Sequence, residues 1–367
     1  MSGEGGGTDL FLALTPERVL AAVETAGVRC RPVCYPLNSF ENRVYEVELE
    51  DRSRVIAKFY RPQRWTREQI LEEHAFLGDL AAAEIPVCPP RAFPDGSTLH
   101  RTGAIWYALF ERLGGRAPDE LDDALAERLG RLVGRLHNVG AARPARHRLR
   151  FGADVFVRDS LKWLATWGGV PAHLWGRYAA AAGEIAQVYD DWSAGVAVHR
   201  VHGDLHLGNL LLRDGLLRVV DFDDMAVGPA VQDLWLALPG RDEETLLRRE
   251  RFLAGYEQFR ELDRRSLRLI EPLRGLRLVH YAAWLGRRWH DPIFPRAFPH
   301  FGSDDYWERE TLGLEEIVGL LRGGETDETG RPAHGETAAA REPEPELSNA
   351  DFFWDWQETP NPRREPS

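Results

Sequence analysis

The chain has 367 residues, 43% of them hydrophobic and 10% aromatic, enough to bury a sizeable core and too many for a disordered polypeptide. Its length points to two lobes and a tail, and its formal net charge of −12, with no stripe of basic residues alternating with aromatics, argues against nucleic acid and anionic lipid as partners. "MSGEGGGTDL" is no export signal, no apolar run reaches the roughly 18 residues of a membrane span, and the odd set Cys30, Cys34 and Cys88 fits reduced thiols, so a cytoplasmic protein is expected.

Residues 1–14 read as a flexible N-terminus. Thr15-Pro16 then supplies an N-cap with proline at the first helical position, opening a helix that Gly27 ends. "NRVYEVELEDRSRVIAKFYRP" alternates apolar and polar residues on both sides of Glu50-Asp51-Arg52-Ser53, the pattern of an antiparallel hairpin with Lys58 in its second strand. In "TREQILEEHAFLGDLAAAEIP", Thr66 and Gln69 form a capping box, and Ile70, Leu77 and Leu80 share a helix face until Pro86. "AIWYALFERLGG" adds a strand and closes a small α+β unit over residues 15–112.

Helical periodicity dominates residues 113–322. Leu125, Leu129, Leu132 and Leu136 mark one helix, and residues 160–190 and 243–290 are similarly periodic. From Gly323 the composition shifts to Glu, Pro, Thr and Gly, so 323–367 reads as a disordered tail containing an acidic-aromatic "DFFWDWQ".

One stretch breaks the helical pattern: "VHGDLHLGNLLLRDGLLRVVDFDD", Val201 to Asp224. Asp204 precedes Asn209 by five residues, and Asp221-Phe222 follows after two short strands joined at Asp214-Gly215. Kinase catalytic loops space a catalytic Asp and a metal-binding Asn this way, with a metal-binding Asp-Phe on a nearby strand. Phosphoryl transfer needs one carboxylate to orient the attacking hydroxyl and hard oxygen ligands to hold Mg²⁺ against the phosphates. Asp204, Asn209 and Asp221 supply that set.

A nucleotide also needs a cation on its phosphates. The chain has only two lysines, Lys58 and Lys162, so arginine serves nearly everywhere that any positive charge will do. Lys58 ends "VIAK" on a strand, where a compact ammonium suits phosphate better than a guanidinium fork. Glu73 shares the apolar face of the following helix and is the expected partner of Lys58. His202 and His206 are four apart, but Gly203 and Gly208 argue against the helix a zinc pair needs; their expected role is to shape the loop. No Gly-Lys-Ser/Thr phosphate loop is present.

"HGDLHLGN…VVDFDD" resembles the aminoglycoside phosphotransferase and choline kinase-like branch of the protein-kinase-like superfamily. "LNSFENRVYEVE", "VIAKFYRPQRW", "QILEEHAF", "DFDDMAVGPAVQDLW", "IEPLRGLRLVHYAAWLGRRW" and "DYW" narrow the resemblance to the bacterial stress response kinase A family of RdoA-like serine/threonine protein kinases, over about residues 15–322. The resemblance implies an α+β, bilobal protein-kinase-like fold, with a small antiparallel sheet and one main helix in the N-lobe (15–112) and a larger helical C-lobe (113–322). It also implies ATP and Mg²⁺ as cofactors, protein serine or threonine acceptors including the kinase itself, and a monomer. By position Asp204 is the proton acceptor, Asn209 and Asp221 the metal ligands, Lys58 the phosphate contact and Ser39 the ATP-contacting serine. Asp233 is a residue holding the catalytic loop, and Asp223 either reaches the metal or caps the next loop. The loop around Ser39 lacks a Gly-x-Gly-x-x-Gly pattern, and no activation loop follows Asp224. The residue set also fits kinases of small alcohols such as choline, homoserine or aminoglycosides, and a nucleotide-binding pseudokinase is the non-enzymatic alternative.

Overall fold

The computed structural model describes residues 10–11, 13–37 and 39–323. The tail read as disordered, with "DFFWDWQ", lies outside the described residues from 324 onward, as do residues 1–9.

The Thr15 hydroxyl accepts the Arg18 N–H at 3.4 Å to cap α1 (Pro16–Glu24), and Gly27, at φ +77°, turns the chain away after it. Strands β1 (Cys30–Leu37), β2 (Arg43–Leu49) and β3 (Arg54–Phe59) follow, then helix α2 (Arg67–Ala82), then β4 (His100–Thr102) and β5 (Ile105–Glu111). All pairs are antiparallel, in the order β1-β2-β3-β5-β4. The hairpin is β2–β3, and Lys58 stands opposite Val44 on one side and Ala108 on the other, in the middle of the sheet.

Two of the five strands carry no clear pattern in the sequence. Pro32 and Pro36 interrupt β1 and remove ladder donors, which the edge position tolerates. Strand β4 is only three residues long.

The sheet buries Val47, Val55, Ala57, Phe59, Tyr107 and Leu109 together with Val19, Val23, Phe11 and Leu14. Phe11 and Leu14 are 4% and 6% exposed, so the N-terminal segment is anchored by these two side chains before residue 15. Apolar side chains there are removed from water as surely as those of the strands.

Helix α2 starts with both bonds of the Thr66–Gln69 capping box. Ile70 packs under the sheet, whereas Phe76, Leu77 and Leu80 enter the core of the second lobe. Phe76 meets Phe222 edge to face at 5.8 Å, which fixes the helix that carries Glu73 against the segment that carries Asp221.

The second lobe contains α3 (Asp123–Ala142), α4 (Asp159–Trp167), α5 (Ala172–Ser193), α6 (Val231–Ala237), α7 (Glu243–Tyr256), α8 (Ile270–Arg288), α9 (Ile293–Ala297) and α10 (Asp304–Arg322). The periodic run 160–190 is two helices, broken where Gly168 adopts φ +71° and Pro171 follows. The run 243–290 is likewise split, at 257–269. Helices α3 and α7 pack backbone to backbone: a Cβ on Gly130 would lie 1.9 Å from the Phe252 carbonyl oxygen, and one on Gly255 2.0 Å from that of Glu127.

Two antiparallel strand pairs hold the motif. Strands β7 (Leu210–Arg213) and β8 (Leu216–Val219) pair through Asp214 and Gly215, both at positive φ, as a tight primed turn requires. Strand β6 (Val198–Val201) pairs with β9 (Ala226–Pro229), so Val201 faces Ala226 and residues 202–225 are pinched into one closed excursion. The sequence gives little sign of β9, whose four residues include Gly228 and Pro229. Among the described residues no helix is long and apolar enough to cross a membrane.

Candidate active site

The pinched excursion is shaped by one buried carboxylate. Asp233, on α6, accepts the backbone N–H groups of His202 and Gly203, each at 2.8 Å, and its Oδ2 lies 3.0 Å from His137 Nε2. Gln232 Nε2 donates to the Gly203 carbonyl at 2.9 Å. Gly203 has φ +87°, and a Cβ there would lie 2.2 Å from the Asp224 carbonyl oxygen, so only glycine fits. His202 Nδ1 accepts the Asp204 N–H at 3.2 Å while Nε2 donates to the Val220 carbonyl at 2.9 Å. His206 Nδ1 accepts the Gly208 N–H at 3.0 Å. Both histidines therefore shape the loop.

Asn209 donates from Nδ2 to the Asp204 carbonyl at 2.8 Å, which commits its amide nitrogen and leaves its oxygen as the atom a metal would meet. Asp221 stands just past β8 in the left-handed region at φ 58°, an uncommon conformation for a residue with a Cβ. It is not part of a strand; a single 3₁₀ turn over Phe222–Asp224 follows it. The side chain is 54% exposed and points its Oδ1 to within 3.2 Å of Lys58 Nζ.

Lys58 is held by three carboxylates. Its Nζ is 3.5 Å from Glu73 Oε1, 3.2 Å from Asp221 Oδ1 and 3.0 Å from Asp223 Oδ1. Burial alone would lower its pKa, but the charges of Asp221, Asp223 and Glu73 raise it well above the ordinary value, so the ammonium stays protonated. Glu73 is shared with Arg148, whose Nη2 is 3.1 Å from Oε2. Desolvation pushes the Glu73 carboxyl up against the pull of Lys58. Asp223 is buried between Lys58 and Arg64 and does not cap the next loop; burial opposes its charge, but Lys58, Arg64 and Arg148 hold it well below the carboxylate range. Arg64 also grips Asp224.

Asp204 lies across from this group. Arg277, on α8, places Nη2 2.7 Å from its Oδ1, and His206 Nε2 is 3.5 Å from its Oδ2. Burial pushes the Asp204 carboxyl up, but Arg277 and then His206 pull it well below its usual range.

Ser39 belongs to the loop before β2, where its hydroxyl accepts the Asn42 N–H at 3.3 Å. The loop is tied to the second lobe. Glu41 accepts from Trp284 Nε1 at 2.6 Å and Arg288 Nη2 at 2.7 Å, with Arg61 Nε at 3.3 Å and Arg64 Nε at 3.5 Å. Burial works against that charge, yet Arg64 and Arg288 bring its pKa down to about 2. Phe40 packs on Phe298 and Phe294, with ring centroids 5.3 and 6.2 Å apart. Asp291 bonds Arg43 and Arg61 at 3.1 Å each.

Of the residues singled out from sequence, Lys58 contacts both Glu73 and Asp221, Asp204 and Asn209 are joined to each other, and Ser39 sits apart in the loop before β2. Glu41, Arg64, Arg148 and Arg277 were not singled out. Glu41, Arg64 and Arg277 lie inside the sequence segments given above, and a sequence poor in lysine is the signal that arginines pair its buried acids. Arg148 lies 75 residues from Glu73, and no local pattern links the two.

The carboxylates gathered at Lys58 suit a divalent cation. Asp221 presents a carboxylate that is 54% exposed, with one oxygen on Lys58. The Asp224 side chain is 46% exposed, yet crowding by the surrounding protein and the charges of Asp204, Asp223 and Asp221 raise its pKa against the pull of Arg64. Carboxylates gathered at such a cost need positive charge. Among the described residues no three His, Cys, Asp or Glu side chains close round a metal unaided. Mg²⁺ takes one or two carboxylates and completes its shell from phosphate and water.

Known proteins resemble this chain over most of its length. The phosphotransferase enzyme family matches residues 34–270. Stress response kinase A of Escherichia coli strain K12 is 43% identical over 315 residues, covering 85% of this chain and 95% of its own length. The serine/threonine protein kinase RdoA of Salmonella typhimurium strain LT2 is 41% identical over 314 residues, covering 85% and 94%. Among solved structures, amicoumacin kinase hAmiN with AMP-PNP, Ca²⁺ and Ami superposes with TM-score 0.67 at 23% identity, over 83% of this chain and 93% of that one. A microcompartment-associated aminopropanol kinase gives TM-score 0.63 at 21% identity, over 85% and 98%. These two share the fold. Similarity of this extent over most of the chain identifies it as a kinase that belongs to the phosphotransferase enzyme family and, within it, to the stress response kinase A proteins.

Proposed function

We propose that this kinase uses ATP with Mg²⁺ to phosphorylate serine or threonine hydroxyls of proteins, its own chain included. The observation that carries this reading is the meeting of Lys58 with Glu73 and Asp221, at 3.5 and 3.2 Å, across from Asp204. Lys58, kept charged and aimed by Glu73, binds phosphate; Asp204 orients the acceptor hydroxyl and takes its proton; the Ser39 loop covers the nucleotide. Asp221 and the Asn209 amide oxygen would hold Mg²⁺, which when bound would neutralise charge on the phosphates.

The acceptor class is supported by the kinase names of relatives at 41–43% identity. It is supported also by the flanks of Asp204. A cationic aminoglycoside or amino-alcohol needs carboxylates beside its hydroxyl, and it would meet the Arg277 guanidinium there, 2.7 Å from Asp204. The full set of Lys58, Asp204, Asn209 and Asp221 argues against a pseudokinase.

The test is incubation with labelled ATP and Mg²⁺, alone, with casein, and with a panel of small alcohols. Label on the chain and on casein is the expected result. Label confined to small alcohols overturns the acceptor class, and nucleotide binding with no transfer to anything overturns the enzyme reading.

A further inference from the structure

Transfer of a phosphoryl group spreads charge over three equatorial oxygens while the group lies between its donor and its acceptor, and a positive charge fixed beside those oxygens lowers the barrier. Lys58 is committed to the N-lobe side, among Glu73, Asp221 and Asp223. Lys162, the other lysine, pairs with Asp159 on α4 with its side chain 76% exposed. A permanent charge on the acceptor side has to come from arginine.

Arg277 is in that place. Its Nη2 is 2.7 Å from Asp204 Oδ1, the carboxylate against which the acceptor hydroxyl must lie. A hydroxyl bonded to the same carboxylate at ordinary length is within roughly 5 Å of that nitrogen, so a phosphoryl group bonding to the hydroxyl brings its equatorial oxygens to the guanidinium. The group is a planar fork of five N–H donors suited to phosphate oxygens. It is also delivered by a rigid element: Leu273, Leu276 and Val279 of α8 are buried, and Gly275 packs against Ile185. Taking Asp204 as the acceptor-side carboxylate, as proposed above, we infer that Arg277 touches the phosphoryl group during transfer and stabilises its developing charge, in addition to its contact with Asp204. The bond from the leaving oxygen of ADP to phosphorus breaks as the acceptor oxygen bonds to it and the hydroxyl proton passes to Asp204; Arg277 exchanges no proton or electron.

Three variants of the full chain separate this role from a purely positional one: Arg277→Gln, Arg277→Lys and Asp204→Asn. The measurements are kcat and KM for ATP with casein as acceptor, and the affinities for ADP with Mg²⁺, without and with aluminium fluoride as a mimic of the group in flight. For Arg277→Gln the expected results are a kcat at least about 100-fold lower, a KM for ATP and an ADP affinity within about threefold of wild type, and a mimic complex weakened by at least about 30-fold. Arg277→Lys, which keeps the charge without the fork, falls between. Asp204→Asn loses turnover but keeps the mimic complex within about threefold.

A kcat for Arg277→Gln within threefold of wild type overturns the inference. So does equal retention or equal loss of the mimic in the Arg277→Gln and Asp204→Asn proteins, because Arg277 then acts only through Asp204, and so does loss of ADP binding together with the mimic, which marks a structural role. Undiminished turnover by Asp204→Asn overturns instead the role of Asp204 itself.

Discussion

Arg148 and Lys58 divide one carboxylate between them: the guanidinium takes Glu73 Oε2 at 3.1 Å and the ammonium stands 3.5 Å from Oε1, all three side chains being buried. Removing the charge at Glu73 leaves Arg148 in the interior without its carboxylate, so Glu73→Gln is expected to destabilise the fold by about 3 kcal/mol as well as to impair phosphate binding. Asp221→Asn, at a half-exposed position, is expected to abolish transfer at little cost in stability. Urea midpoints of the two variants, taken beside their activities, check the contrast.

Asp204→Asn keeps the shape of the loop and removes the proton acceptor. The expected loss in kcat is about 10²- to 10⁴-fold, with KM for ATP within about threefold of wild type. Steady-state kinetics at varied ATP and fixed casein give both values.

Asp233 stands behind the loop and accepts from His202 N, Gly203 N and His137. An amide there turns a donor toward a donor, and each buried unpaired group costs about 1–3 kcal/mol. Asp233→Asn is therefore expected to lower both the melting temperature and kcat while ADP still binds; calorimetry and a nucleotide titration test the two halves.

The Glu41 carboxyl is held at about 2 in the folded chain, against 4.5 ordinarily. A depressed pKa adds stability that is complete above about pH 4.5 and is lost as the pH falls toward 2, here at most about 3 kcal/mol. The melting temperature of Glu41→Gln is expected to lie below that of wild type at pH 7, and the gap to narrow on acidification through that window. A constant gap from pH 7 to pH 3 would contradict the assignment.

A Cβ on Gly130 would meet the Phe252 carbonyl oxygen at 1.9 Å, backbone against backbone, with no flexible side chain to give way. Gly130→Ala is expected to cost about 2–3 kcal/mol or more by forcing α3 and α7 apart, whereas Gly183→Ala, on α5 with nothing within 4 Å, is expected to be neutral or mildly stabilising. Thermal unfolding of the pair settles this.

What could be read before folding was whatever is local. The capping box at Thr66, the β2–β3 hairpin, the Asp204-to-Asn209 spacing and the Asp214-Gly215 turn each depend on residues close in the chain, and each forms. Strand β1 escaped because two prolines mask it, and β9 because four residues with Gly and Pro carry no period. The arginines of the crevice escaped for another reason. Arg148 reaches Glu73 from 75 residues away and Arg277 reaches Asp204 from 73, so their partners are chosen by the packing of α2, α8 and the catalytic loop and not by any spacing.

Near-absence of lysine has a practical side. An amine-directed acylating reagent meets two ε-amino groups in this chain: Lys162 lies open to water, while Lys58 is kept protonated and walled in by acids. Bulk chemistry thus marks the first and spares the second. One reagent thereby tells the surface amine from the interior one.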